Sequence, residues 1–552
     1  MKRTILALIL ALWLVAPVNS QTTTKVNSPA RRAADNITAA QMKDYLSFIA
    51  SDEMEGRDTP SRGLNTTAKF IATMLSRWNV KPAGDDGYFQ KIVLRGTVPD
   101  ADKSSLEING QKFNLGDDVL RIAGMSETAL SAPLVYGGDG WLIKSKNIDA
   151  LAGVDIKGKI VVLYGNGMPS GFTLTPLPNG TARQDLTGQR GTDWADPATY
   201  ARSKGAAGII VIASDGAQSK WSAVKDFYSR GRFVVDKLTP ATAPDNFAFP
   251  VIFVSQKVAN TLFTGESVNP LQAGMSTGGS AAFEMSANKK VSLTVATKTE
   301  TVMTQNVVGI IEGSDPVLKS EVVALGAHYD HIGMNPLASG DQINNGADDD
   351  GSGTTAILSI AEALSKAPKK PKRSVLFVWH CGEEKGLWGS DYFTSFPTVP
   401  LEKVVTQLNI DMIGRTKKTG DTNPLNKELS GANEIYVIGS KMMSAQLGSL
   451  SEAVNNSYLK LTFDYRYDAP NDPNNFYGRS DHYNYAKKGV PIIFYFDGVH
   501  EDYHRPGDEV SKIDFDKMQR VTRTVFLTMW ELSDLKARPV IDKQLPAERM
   551  KR

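Results

Sequence analysis

Residues 322–331 read Val322-Val-Ala-Leu-Gly-Ala-His328-Tyr-Asp330-His331 and carry an apolar run directly into a cluster of histidine and aspartate side chains. Such a run is typical of a strand that is buried on both faces of a parallel sheet. A segment with helical periodicity follows at 354–366, and further apolar runs begin at Ser374 and Val404. Strands that alternate with helices predict an α/β fold with a mostly parallel (mixed) sheet flanked by helices.

Polar residues follow three of the predicted strands at the point where each strand ends. His328 ends the first, Glu383 and Glu384 come after the second, and Asp411 comes directly after the third. Because ligands of such sheets bind beyond the carboxyl ends of the strands, we expect these side chains to meet at one edge. The six histidines of the chain all lie in this half, at positions 328, 331, 380, 482, 500 and 504. Mixed imidazole and carboxylate ligands suit zinc.

These residues can form the site of a two-metal hydrolase. Two ions about 3.5–4 Å apart need a carboxylate that bridges them, and one imidazole and one carboxylate can then complete the protein ligands of each ion. Glu383 is left as the general base for the water between the metals. Asp330 is placed to fix the orientation of the His328 imidazole. The predicted ligands are His328, Asp349, Glu384, Asp411 and His504.

Five motifs resemble those of the zinc aminopeptidase family that also contains glutamate carboxypeptidase-like enzymes. They are HYDHIG (328–333), GADDDGSG (346–353), CGEEKGLWGS (381–390), NIDMIGR (409–415) and YHRPGD (503–508). The resemblance covers about 36–125 and 285–535, and it implies a zinc exopeptidase-like fold with two Zn²⁺ per chain. The sequence does not separate zinc from cobalt or manganese, since loading in the cell depends on availability.

The resemblance also implies a role for each ligand. His328 and Asp411 would be terminal ligands of one zinc, and Glu384 and His504 of the other. Asp349 would bridge the two ions, and the peptide bond after it would be cis.

The last histidine ligand has two candidates. Ser480-Asp481-His482 also resembles a family motif, but the terminal histidine of relatives lies in a Tyr-His pair, which favours His504. His482 is expected to line the substrate cleft or to pack behind a helix cap at Asp481. Tyr477 is expected to stand near the substrate as a donor to the oxyanion. His331 is expected to support a ligand or a turn.

An inserted domain is predicted between the two parts of the peptidase domain. The segments DIKGKIVVLYGNG (155–167) and YARSKGAAGIIVIAS (200–214) resemble the protease-associated domain that is inserted in many family members. We therefore predict a β-rich α+β insert at 129–280, a discontinuous peptidase domain at 36–128 and 281–538, and a tail at 539–552.

The amino terminus predicts export. Residues 1–20 combine Met-Lys-Arg with a short apolar run and resemble a signal peptide, an uncleaved membrane anchor being the alternative. Residues 21–35 are predicted as a flexible lead, and no later segment is long and apolar enough to span a membrane. The single cysteine, Cys381, excludes intramolecular disulfides, and the net charge of +2 gives no indication of nucleic-acid binding. We expect a periplasmic or secreted protein, and an oligomer is compatible with the sequence.

These features predict an exported di-zinc aminopeptidase that acts on peptides with a free N-terminus. A carboxypeptidase or dipeptidase of the same fold is the alternative within the enzyme class, because the metal ligands do not separate these activities. A single-metal cyclising enzyme is disfavoured by the full two-metal ligand set. A receptor-like binding ectodomain without catalysis is disfavoured because no ligand is missing.

Overall fold

The computed structural model describes residues 28–121, 127–165, 174–229, 231–240, 249–271, 281–335, 338, 340–469, 471–543 and 545. Its helices α1 to α12 are Ser28–Ala34, Ala39–Ile49, Arg62–Arg77, Pro197–Ser203, Asp215–Ser219, Trp221–Ser229, Gln256–Phe263, Gly351–Lys366, Trp388–Ser395, Ala445–Ser457, His482–Lys487 and Phe515–Asp534. Its strands β1 to β20 are Lys81–Pro82, Phe89–Ile108, Gln111–Asn114, Val119–Arg121, Thr128–Tyr136, Leu142–Ile143, Ile148–Asp149, Ile160–Tyr164, Trp194–Ala195, Gly208–Ile212, Arg232–Val235, Val251–Val254, Phe283–Glu284, Lys290–Ile311, Val322–His328, Ser374–His380, Val404–Ile410, Glu434–Ile438, Thr462–Asp464 and Ile492–Phe496.

The sheet that carries the predicted site has the order β2, β14, β16, β15, β17, β20, β18, β19. Its central strands β16, β15, β17 and β20 are parallel. Strand β14 is antiparallel to β16, and β18 is antiparallel to β20. The predicted α/β class with a mostly parallel, mixed sheet is confirmed.

Both faces of this sheet are covered by helices, as its continuous apolar strands require. Val323 and Leu325 of β15 lie in a hydrophobic cluster with residues of α8 and α12. Val322 and Ala324 point to the other face, where the cluster includes Phe393 of α9 and residues of α11. Side chains of a strand alternate between its faces, so a strand between two helix layers is apolar at every position.

The parallel register brings the ends of the strands to one edge. His328, the last residue of β15, lies opposite His380, the last residue of β16. On its other side, Gly326 of β15 lies opposite Asn409 of β17. The loops that follow the three strands therefore leave the sheet together, which positions the predicted motifs side by side.

A second sheet forms the predicted insert. Its order is β13, β5, β8, β10, β12, β4, with β5, β8, β10 and β12 parallel. It packs with α7 on one face, where Ile210 and Ile252 meet Leu262. Its other face covers Val161 and Val211, which pack with Tyr200 of α4. The assignment of this insert to the protease-associated domain stays a prediction.

The predicted boundaries of the insert are too narrow. Strands β2 and β14 pair with each other from the first sheet into the second without leaving the ladder. Leu106 and Ile108 of β2 and Leu293 of β14 lie in the hydrophobic cluster of the insert, outside the predicted 129–280. The predicted boundary at 128–129 lies at the start of β5, whose residues pair with β14.

The predicted flexible lead at 21–35 is wrong for its last residues, because Ser28–Ala34 forms α1. Ala30, Ala33 and Ala34 are buried, and the Arg31 guanidinium donates to the Ser457 carbonyl at 2.7 Å. Small alanine side chains allow this helix to lie close to α8 and α12. The predicted signal peptide at 1–20 lies outside the described residues. No helix in the described ranges has the length and apolar character needed to cross a membrane.

Candidate metal centre

The first group of candidate ligands forms where β15 and β17 end. His328 closes β15, and Asp411 follows the last residue of β17. The Nε2 atom of His328 lies 3.3 Å from Oδ1 of Asp349 and 3.6 Å from Oδ2 of Asp411. One atom from each of these three residues lies within 4.8 Å of the other two, a spacing that can hold one metal ion.

The second group shares Asp349. The Nε2 atom of His504 lies 3.1 Å from Oδ2 of Asp349 and 3.1 Å from Oε2 of Glu384. His331 approaches from the buried side, with Nδ1 at 2.9 Å from Oε1 of Glu384 and 3.7 Å from Oδ2 of Asp349. The two oxygens of Asp349 thus face different groups, as a bridging carboxylate requires.

The residues of this cluster fit a divalent metal ion. Several of their buried polar atoms approach one another without the geometry of a hydrogen bond: Nδ1 of His331, Nε2 of His504, Oδ2 of Asp349 and Oε1 of Glu384. Buried polar atoms without partners are rare in proteins, and a bound metal ion would satisfy those of this cluster. Imidazole nitrogens and carboxylate oxygens are zinc ligands.

The two adjacent glutamates of the motif have opposite electrostatic surroundings. Burial raises the pKa of Glu383 well above its usual range, and the carboxylates of Glu384 and Asp411 raise it further, although His328 opposes them. Burial and Asp349 also act to raise the pKa of Glu384, but contacts with His331 and His504 lower it to about 2. Glu384 therefore behaves as a paired carboxylate and Glu383 as an unpaired one.

Asp330 holds both His328 and Glu383 in place. The Nδ1 atom of His328 lies 3.1 Å from the Asp330 carbonyl oxygen and 3.7 Å from its carboxylate. The Asp330 carboxylate accepts a hydrogen bond of 3.1 Å from the backbone N–H of Glu383. The Glu383 side chain, 11% exposed, reaches to 4.0 Å from Nε2 of His328. The predicted contact with the imidazole thus runs mainly through the Asp330 carbonyl.

The loop that carries Asp349 is held by carboxylates on each side. The Asp349–Asp350 peptide bond is cis, as the resemblance implies. Asp350 accepts hydrogen bonds from the backbone N–H groups of His328, Gly353 and Met412 at 2.8–3.2 Å. Asp508 accepts from the N–H groups of Asp348 and Asp349. Hydrogen bonds to the carboxylates of Asp350 and Asp508 therefore connect the backbones of the loops that carry the candidate ligands.

Arg57 is a residue of this site that the sequence motifs did not identify. Its side chain is fully buried. The guanidinium donates at 2.7–2.9 Å to four carbonyl oxygens, which belong to Ile49, Tyr329, Asn345 and Gly346. It thereby joins the loop after β15 to the loop before α8. No local sequence pattern marks Arg57, since its partners lie up to 289 positions away along the chain.

The cleft above the metal-facing residues has an acidic floor and an apolar wall. It holds about 360 Å³ of free space and is lined by His328, Asp349, Glu383, Glu384, Asp411, Met412, Phe476, Arg479, Phe494, Phe496, Val499 and Tyr503.

The structure does not place Tyr477 and His482 at this cleft, so the prediction that Tyr477 stands near the substrate is wrong. For His482 the predicted alternative, packing at the start of a helix, agrees with its buried position. Both side chains are fully buried, and the His482 ring stacks on Phe494 with 4.5 Å between ring centroids. Nε2 of His482 donates to the Tyr477 carbonyl at 2.7 Å. Tyr477 belongs to the hydrophobic cluster that includes Phe476, Ile492 and Phe494. Tyr503, beside the predicted ligand His504, lines the cleft instead.

Part of this chain is similar to known peptidases. Residues 306–529 match the model of peptidase family M28. Leucine aminopeptidase 2 of Arthroderma otae is 29% identical over 275 residues, which are 46% of this chain and 50% of that protein. A probable leucine aminopeptidase 2 of Aspergillus oryzae is 33% identical over 210 residues, or 38% of this chain and 36% of that protein. The chain thus spans about half the length, or less, of these curated relatives.

Among solved structures, a zinc aminopeptidase from Bacillus subtilis matches 92% of this chain and 99% of its own, with 18% identity and a TM-score of 0.51. This likeness shows a shared fold. The family match covers all the predicted metal ligands. Residues 306–529 therefore match peptidase family M28, which agrees with the resemblance to zinc aminopeptidases that the motifs predicted for this part of the chain.

Proposed function

We propose that this protein is a di-zinc aminopeptidase that removes N-terminal residues from peptides. The observation that carries the proposal is the position of Asp349, whose two oxygens face two separate groups of ligand-type side chains on the floor of one cleft. His328 and Asp411 would hold one ion, and Glu384 and His504 the other. A peptidase activity is supported by the family match and by the aminopeptidase relatives.

The chemistry requires a water nucleophile and a proton carrier. Zinc ions held by His328, Asp349, Glu384, Asp411 and His504 would supply Lewis-acid chemistry, that is, polarisation of the substrate carbonyl and a water whose pKa is lowered to about 7. Glu383 lines the cleft and is the carboxylate of the motif without an imidazole partner of its own. It takes the proton of the attacking water and passes it to the leaving nitrogen, with its backbone held by Asp330.

The lining of the cleft indicates a class of substrate. A protonated N-terminal amine is attracted to the floor, where Glu383, Glu384 and Asp411 lie. The lining also includes an apolar group, formed by Met412, Phe476, Phe494, Phe496 and Val499. Burying an aliphatic side chain against such a group contributes about 1.5–3 kcal/mol to binding. We therefore propose substrates with an apolar first residue such as leucine.

Export remains part of the proposal and rests on residues 1–20 alone. It is tested by expressing the full chain in a bacterial host and sequencing the N-terminus of the protein recovered outside the cytoplasm. A mature start near Gln21 is the expected result. A full-length product that stays in the membrane fraction contradicts it.

The experiment for the activity is the digestion of a mixed peptide pool, half of it N-acetylated, by the zinc-loaded protein, with mass-spectrometric detection. Stepwise loss of N-terminal residues from free-amine peptides only is the expected result. Glu383→Gln should abolish it, whereas Glu312→Gln, a change at an exposed carboxylate, should not. Loss from the C-terminus of both halves of the pool indicates a carboxypeptidase. No cleavage despite bound zinc indicates a binding ectodomain.

A further inference from the structure

Arg479 stands at the rim of the cleft and has no role in the proposed hydrolysis. Of the described residues that line the cleft, it alone carries a lysine or arginine charge. We propose that Arg479 binds a substrate carboxylate that lies one or two residues beyond the amine, which makes short peptides and peptides with an acidic second residue the favoured substrates. This inference rests on the proposed aminopeptidase function and names its substrate class.

A short series of contacts connects Arg479 to the candidate metal centre. Its Nη2 atom lies 3.4 Å from the Tyr503 hydroxyl, a long contact for a hydrogen bond. The Tyr503 ring stacks on His504 with 3.9 Å between ring centroids, and His504 lies 3.1 Å from Glu384. One tyrosine and one histidine thus separate the guanidinium from the metal-facing carboxylates.

The guanidinium is available for a ligand. Its Cζ atom lies over the Phe476 ring at 5.0 Å from the centroid, and the residue is exposed to solvent. No carboxylate of the described residues forms an ion pair with it. Arg415, the other arginine near these motifs, is different, because it pairs with Asp502 at 2.7 Å and with Asp508 at 3.5 Å. Of these two arginines, Arg479 is therefore the one that can offer its fork of donors to a substrate.

The chemistry of the fork selects the ligand. An arginine donates two parallel hydrogen bonds to a carboxylate, which a neutral amide cannot accept in the same way. An extended peptide advances about 3.3–3.6 Å per residue, so the carboxylate of a di- or tripeptide lies about 7–11 Å from its own amine. An amine on the acidic floor and a carboxylate at the rim then bind the two ends of one short substrate. The side chain of an acidic second residue is another source of the carboxylate that Arg479 would bind.

The experiment compares four substrates: Leu-Ala, Leu-Ala amide, Leu-Glu amide and Leu-Gln amide. Each is hydrolysed by the zinc-loaded protein, by Arg479→Gln and by Arg479→Lys, and KM and kcat are determined separately. The substrates form two pairs, Leu-Ala with Leu-Ala amide and Leu-Glu amide with Leu-Gln amide, and only the first member of each pair has a carboxylate. We expect the intact protein to favour that member by about tenfold, mainly through a lower KM. In Arg479→Gln this ratio should fall to about one, and Arg479→Lys should restore part of it. Because each ratio is taken within one protein, partial misfolding of a variant cancels.

The two pairs identify the source of the carboxylate. A preference for Leu-Ala over its amide assigns the C-terminal carboxylate, and a preference for Leu-Glu amide over Leu-Gln amide assigns the side chain. Ratios that are the same in the intact protein and in Arg479→Gln overturn the inference. Binding of Leu-Ala and Leu-Ala amide to Glu383→Gln, measured by calorimetry, gives the same comparison without turnover. Failure of the intact protein to cleave Leu-Ala amide would instead contradict the aminopeptidase function.

Discussion

The Nδ1 atom of His331 lies 2.9 Å from Oε1 of Glu384, closer than the 3.1 Å between that carboxylate and His504. The sequence motifs leave His504 and His482 as candidates for this ligand and favour His504, whereas His331 is expected only to support a ligand or a turn. His331 is fully buried, whereas the His504 side chain is 35% exposed at the cleft. The structure thus offers two imidazoles for one ion.

Replacing the two histidines one at a time separates their roles. We expect His504→Asn to lose one zinc per chain after dialysis, because it removes a ligand that faces both Asp349 and Glu384. His331→Asn should keep two ions and weaken the binding of one by about 10–100-fold, as is typical of a residue that supports a ligand. Elemental analysis and zinc titration measure both quantities. The opposite pattern would make His331 the ligand.

Glu383→Gln removes the proton acceptor but keeps the shape of the side chain. We expect kcat on a leucine-terminated peptide to fall by about 10²–10⁴-fold, the contribution typical of general acid–base catalysis. Zinc content should stay the same, since Glu383 is not among the predicted ligands. A steady-state assay together with metal analysis checks both. Retained activity would exclude Glu383 as the base.

Arg57→Met should destabilise the fold. The change leaves four buried carbonyl oxygens without their donor, which we expect to lower the free energy of unfolding by about 3–5 kcal/mol. Arg62→Met is a matched control, because the Arg62 side chain is 79% exposed and pairs with Glu55 at the surface. That change should cost less than about 1 kcal/mol. Urea unfolding of the zinc-free proteins measures both, and equal effects would contradict the role of Arg57.

Removing the metal should lower thermal stability. A metal ion that binds only the folded site would add about 4 kcal/mol to the free energy of unfolding at an excess of about 1,000 times its dissociation constant. Chelation removes this contribution and leaves the carboxylates of Asp349, Glu384 and Asp411 close together. Thermal unfolding with chelator, and again after zinc is restored, gives the shift. Asp349→Asn should reduce the dependence on zinc, and an unchanged dependence would contradict its bridging position.

The sheet and the site are largely predictable because both depend on local patterns. Val322 to His328 and Val404 to Ile410 are short apolar strands that lead into a metal-binding residue type, and their parallel register brings those residues together. The orientation of His482 is not predictable in this way, because it depends on the ring of Phe494, a contact between elements. Arg57 escapes prediction because its partners come from distant segments. Neither the ring contact of His482 nor the hydrogen bonds of Arg57 produce a periodic pattern in the sequence.

Two further differences between prediction and structure have the same origin. The residues of Ser28–Ala34 are small and polar, which is typical of a flexible lead, and it is their packing against α8 and α12 that makes them helical. Composition changes near residue 129, which predicts the edge of the insert there, although β2 and β14 continue across it. Amino-acid composition indicates only roughly where a domain begins, whereas the pairing of the strands determines its boundary.

The continuous pairing of β2 with β14 has a mechanical consequence. A domain that is joined by two unpaired linkers can rotate about them. A domain that is joined by two paired strands is held more rigidly, and the twist of the strands sets its orientation. The register of this ladder shifts once, between Thr294 and Ala296. We expect any bending of this ribbon to concentrate at this point, because the regular pairing of the two strands changes there.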